Sequence, residues 1–118
     1  MRELDGESVL MRIFIGESDK HQGKPLYQVL VEMLRSEKIA GATVLRGISG
    51  FGASSLLHTA HILRLSQDLP IIIEVVDTQE NIDRVLPEVE RVMEGGLITM
   101  EKVKVLRYSA VQPEATDL

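Results

Sequence analysis

The run Leu69-Pro70-Ile71-Ile72-Ile73-Glu74-Val75-Val76 constrains the fold most, because it places aliphatic side chains on both faces of a strand whose side chains alternate. A strand that is apolar on both faces needs cover on both. Residues 8–15 read the same way, with Val9, Met11, Ile13 and Ile15 on one face and Leu10, Arg12 and Phe14 on the other. Each run leads into a helical pattern and then a further strand. After the first, Leu26, Val29, Leu30, Met33 and Leu34 recur at helical spacing. Pro25 is expected as the first helical residue, where its missing donor would be unpaired anyway. Residues 42–48 follow as a strand. After the second run, Ile82, Val85, Leu86, Val89, Val92 and Met93 form the stripe. Asp77 is expected to cap that helix with Glu80 in capping-box spacing, Pro87 to kink it or to mark a tighter first half, and Gly95 with Gly96 to end it. The last strand is expected to run through Val103, Val105 and Arg107.

The order strand, helix, strand, long excursion, strand, helix, strand is a doubled split βαβ. It predicts an α+β, ferredoxin-like βαββαβ sandwich: an antiparallel four-stranded sheet with two helices on one face. The second, aliphatic face is then left for subunit association, since each buried Ile, Val or Leu contributes roughly 1.5–3 kcal/mol. The chain reads as a single domain over residues 1–118, with a frayed start at 1–7, a long loop at 49–68 and a disordered tail at 109–118.

Charge narrows the partners. Against 18 Asp and Glu stand 13 Lys and Arg, a net charge of -5, which argues against a phosphate-backbone partner and hence against nucleic acid. Aromatic residues make up 3% of the chain, too few for base-stacking platforms. The chain has no cysteine, and no apolar run is long enough to cross a membrane, so a cytoplasmic location is expected. An enzyme is not expected either. There is no thiol nucleophile, no Gly-x-Ser-x-Gly turn and no Walker-type Gly-Lys-Ser/Thr loop.

Residues 41–52, Gly-Ala-Thr-Val-Leu-Arg-Gly-Ile-Ser-Gly-Phe-Gly, read as a strand passing into a glycine-rich loop. Gly47, Gly50 and Gly52 suit either plain turns or a ligand-facing loop base. Arg46 either pairs with a carboxylate such as Glu74 or waits for an anion. Arg107 is either an edge charge in solvent or part of a cleft. His58 and His61 lie three apart, as ligands on one helical turn could, but no third metal ligand accompanies them.

A set of motifs ties these features to a family. Gly23-Lys24-Pro25-Leu26-Tyr27, then 40–48 with Gly50-Phe51-Gly52, then Asp68-Leu69-Pro70 leading to Val75-Val76-Asp77, then Gly96-Leu97-Ile98-Thr99, resemble a family of PII-like proteins of uncharacterised function. That family is related in fold to the nitrogen regulatory protein PII and to the divalent-cation tolerance protein CutA. The resemblance implies a homotrimer with small-molecule sites in clefts between subunits, and a signalling role for the 49–68 loop. Members of the group occur beside fluoride-channel-like membrane proteins, which implies a membrane transporter or channel as candidate partner.

In true PII proteins a Gly-Asp-Gly-Lys turn holds nucleotide phosphates; here the equivalent reads Glu94-Gly95-Gly96-Leu97. Without the lysine, a monophosphate or cyclic nucleotide suits the turn better than a triphosphate. The expected ligand is therefore a small anionic metabolite or adenine nucleotide, held by Arg46, Gly47, Gly50, Gly52, Gly95, Gly96 and Arg107. The alternative is a structural or divalent-metal-responsive trimer of the CutA kind, using His58 and His61.

Overall fold

Strand β1 (Gly6–Gly16) sits inside the sheet and shows what its alternating sequence dictates. Val9, Met11, Ile13 and Ile15 are buried on one face, while Leu10, Arg12 and Phe14 are half-buried on the other. The computed structural model describes residues 6–52 and 68–109. After β1 comes a short hairpin, β2 (Lys20–His21) and β3 (Lys24–Pro25). Its two turn residues, Gln22 and Gly23, both have positive φ, the combination that matches the twist of a tight hairpin. Helix α1 (Leu26–Ser36), strands β4 (Ala42–Arg46) and β5 (Pro70–Asp77), helix α2 (Gln79–Val92) and strand β6 (Leu97–Val105) follow.

The four-stranded sheet has the order β4-β5-β1-β6. All its pairings are antiparallel, with Ile13 opposite both Ile73 and Ile98 at its centre. This is the ferredoxin-like arrangement expected from the element order. Leu26, Leu30 and Leu34 of α1, with Ile82, Val85, Val89 and Val92 of α2, close over Val9, Met11, Ile13, Ile15, Ile71, Ile73 and Val75. Both helices thus share one face. The other carries Leu10, Phe14, Ile72 and Val76, half-buried, with Leu45 and Leu97 more exposed.

A charged row divides that open face. Arg12 reaches sideways to Glu74 on β5 at 2.9 Å and to Glu101 on β6 at 2.8 Å, so one guanidinium ties three neighbouring strands. These hydrogen bonds, first to Glu74 and then to Glu101, raise the Arg12 pKa above its ordinary value.

Several local expectations are corrected. The cap of α2 is Thr78, whose hydroxyl accepts the Asn81 N–H at 3.2 Å. Asp77 is instead buried and accepts from Ala40, Thr78 and Asn81, because it is the last residue of β5 and its side chain points into the helix-covered face. Helix α2 continues through Pro87 to Val92 and its C-cap is Met93 in extended backbone, so Gly95 and Gly96 lie beyond its end and do not cap it. Pro25 occupies the capping position, with Leu26 as the first helical residue. Finally, β6 begins at Leu97 and ends before Arg107, because the turn at Gly96 delivers the chain directly into register with Phe14.

Candidate functional site

The two ends of the long excursion meet at one turn, residues 16–19. On the near side, Arg46 closes β4 and donates to the Glu17 carboxylate at 2.8 Å, a bond that raises its pKa. Its partner is therefore Glu17 and not Glu74, which lies in the Arg12 row. On the far side, the Glu17 N–H donates to the Leu69 carbonyl at 2.8 Å and the Ser18 N–H to Asp68 Oδ1 at 2.9 Å. Asp68 lies so close over Gly16 that a Cβ there would stand 2.5 Å from the carboxylate. The turn itself is held by Asp19, whose side chain accepts the Gly16 N–H and whose carbonyl accepts the N–H of Leu26.

Gly47 and Gly50 pack on the ring of Pro70. The Gly47 N–H donates to the Pro70 carbonyl at 2.7 Å, continuing the β4–β5 ladder by one step. A Cβ on Gly50 would approach the ring to 3.0 Å, and its φ of +150° disfavours a side chain. Beyond this base the chain turns apolar and outward: Ile48 is 85% and Phe51 69% exposed. Gly96 reaches the same end of the sheet from the other side. Its φ is +115°, and a Cβ would meet the Phe14 carbonyl oxygen at 2.7 Å. Gly52 and Gly95 stand in open space.

Arg107 does not join this group. Arg46 pairs with Ile71 at one end of the sheet, whereas β6 runs from Leu97, opposite Phe14, to Val105, opposite Gly6, and Arg107 lies beyond. It sits exposed at the opposite end, beside Tyr108, whose hydroxyl donates to the Ala40 carbonyl at 2.9 Å. Within one chain the expected ligand residues thus form two groups at the two ends of the sheet. His58 and His61 lie outside the described residues, as does most of the expected signalling loop. Among the described residues no group of three or more His, Cys, Asp or Glu could hold a metal ion, and no helix is long and apolar enough to cross a membrane.

Sequence reasoning passed over Glu17 and Asp68. Glu17 looked like an ordinary loop charge and Asp68 entered only as part of a motif, with no role assigned; the folded chain brings them together at one turn. The weak local signal was Gly16 directly after the bulky run Ile13-Phe14-Ile15, where a small residue marks a close approach.

Comparison with known proteins finds a family and a fold. Residues 8–105 match the DUF190 family model (Uncharacterized ACR). A UPF0166 protein of Methanocaldococcus jannaschii is 40% identical over 99 residues, covering 83% of this chain and 91% of that protein. One of Aquifex aeolicus is 37% identical over 97 residues, covering 82% and 91%. Among solved structures, a putative PII-like signaling protein of Thermus thermophilus superposes with a TM-score of 0.58 at 18% identity, covering 86% of this chain and 93% of that one. CPII of Thiomonas intermedia K12, bound to ADP and bicarbonate, superposes with a TM-score of 0.55 at 16% identity, covering 84% and 88%. At that identity the likeness is one of fold.

Proposed function

The chain belongs to the DUF190 family and carries a PII-like fold, and from that premise we propose that it is a non-enzymatic, cytoplasmic regulator. It binds a small anionic metabolite or adenine nucleotide in clefts between the subunits of a homotrimer. The 49–68 loop carries the signal, with a membrane transporter or channel as candidate target.

The observation that carries this reading is the separation of the two arginines. Arg46 with Gly47, Gly50 and Gly96 occupies one end of the sheet and Arg107 the other. One chain alone cannot close both on a single small ligand. Two copies can, if the loop-base end of one faces the Arg107 end of the next, and a closed ring then repeats the same contact. Arg46 is 61% exposed at its side chain even while paired with Glu17, so its remaining donors are available to an anion. That CPII has been crystallised with ADP makes adenine nucleotides the first class to try.

Subunit complementation tests this. AMP, ADP and cyclic AMP are titrated in a thermal-shift assay against the wild type, Arg46→Ala, Arg107→Ala, and the two variants unfolded and refolded together. A ligand at a hundredfold excess over its dissociation constant stabilises the native state by about 2.7 kcal/mol. For a domain of this size that is a shift of roughly 10 °C. Each variant alone should lose the shift. In mixed rings roughly a quarter of the clefts receive both arginines and should bind again. Silence from the whole nucleotide panel would favour the divalent-metal-responsive trimer, and retention of the shift by both single variants would remove the cleft.

A further inference from the structure

Away from that site, the β2–β3 hairpin stands off the outer side of α1 and leaves a hollow of about 430 Å³. One wall is the hairpin, with His21, Gln22 and Lys24; the other is α1, with Val29, Glu32, Met33 and Ser36. Those four helix positions follow the spacing i, i+3, i+4, i+7, a single stripe distinct from the core stripe of Leu26, Leu30 and Leu34. Val29 and Met33 are half-buried and give the hollow an apolar floor.

Its two walls carry opposite charge. Lys24 and Glu32 both line the hollow, yet no ion pair joins them, and neither side chain makes a hydrogen bond or salt bridge among the described residues. The hairpin wall is preformed. Gln22 and Gly23 fix its turn at φ 51° and 81°, and the Leu26 N–H to Asp19 carbonyl bond at 2.8 Å pins its base to the start of α1. Glu88 of α2 does not line the hollow and is engaged elsewhere, its carboxyl held below its ordinary pKa by its hydrogen bond to Arg91.

We propose that this hollow is a second ligand site, for a small aliphatic zwitterion. Its carboxylate would pair with Lys24 and its ammonium with Glu32, while a short methylene body lies on Val29 and Met33. An anion alone would meet the Glu32 carboxylate, and a cation alone the Lys24 ammonium; only a molecule bearing both charges satisfies both walls. The site is separate from the cleft proposed above and stands or falls without it.

The probe is 6-aminohexanoate, followed by methyl and amide NMR of the full chain, with hexanoate and hexylamine as single-charge controls. The expected result is a saturable shift centred on Val29, Met33 and the hairpin amides. Each single-charge control should bind at least about tenfold more weakly, since each lacks one charge-assisted contact. Lys24→Met and Glu32→Gln should each weaken 6-aminohexanoate by a similar factor. Both positions are exposed, so these variants fold and the comparison is direct. Absence of saturable shifts at this hollow would overturn the proposal, as would equal response to hexanoate or hexylamine, or unchanged affinity in both variants.

Discussion

Ala40 donates its N–H to the carboxylate of Asp77 at 2.9 Å. That single bond fixes how the segment after α1 enters the sheet, because Asp77 is fully buried at the end of β5 and Ala40 lies just before the edge strand β4. The same carboxylate takes the N–H of Thr78 at 2.7 Å and the side-chain amide of Asn81 at 3.0 Å, so one group joins the β4 entry to the start of α2. Tyr108 adds the last tie, on the carbonyl of Ala40.

Replacement of Asp77 by alanine should therefore cost more than an ordinary cap. Stranding these donors is expected to destabilise the fold by about 2–4 kcal/mol, against about 1 kcal/mol for Thr78→Ala. Urea denaturation of both variants checks the order. Equal losses would mean that the Asp77 bonds are worth no more than the Thr78 cap.

The faces of β5 separate folding from assembly. Ile73 lies under the helices with none of its surface exposed, so Ile73→Asp buries an unpaired carboxylate and should abolish folding. Ile72 is half-buried on the open face. If the proposed trimer forms through this face, Ile72→Asp should leave a folded chain and lower the mass by light scattering from about three chains to one. If that variant keeps the full assembly, the open face is not the subunit interface.

Two adjacent glycines should respond differently. Gly96→Ala forces a side chain onto φ +115° and against the Phe14 carbonyl, at a cost of about 1–3 kcal/mol. Gly95→Ala meets nothing within 4 Å and should change stability by no more than about 0.5 kcal/mol. Thermal melts of the pair decide it, and a reversed order would contradict the turn geometry.

Pro87 sits exposed inside α2, where it cannot donate to the carbonyl one turn back. Alanine restores that bond and removes a helix penalty of about 3 kcal/mol, while freeing the unfolded chain recovers only about 0.4–1 kcal/mol of entropy against it. Pro87→Ala should raise stability by about 1 kcal/mol or more. A loss on thermal denaturation would indicate that the proline's φ restraint outweighs the missing bond.

Much of this architecture was legible in the chain because it follows from periodicity. The parity of residues 8–15 and 69–76 and the stripes beginning at Leu26 and Ile82 are local patterns, and burial on folding simply selects the apolar side. The open second face was legible for the same reason. The start of β6 was not: Leu97, Thr99 and Glu101 share no single apolar face, and their strand state comes from pairing with β1. The Asp77 role was likewise hidden, since a carboxylate before Thr78 looks like a cap until Ala40 is folded against it.

For the candidate site, the glycines and arginines could be named from the sequence, because φ > 0, close approach and fixed charge are properties of residue type. Which of them meet could not. Residues 17, 46 and 68 converge, and 46 and 107 separate, only because an antiparallel sheet of order β4-β5-β1-β6 sends β4 and β6 toward opposite ends. Composition and periodicity determined what this chain must bury; strand order and register, which depend on contacts between residues far apart in sequence, decided what it holds together.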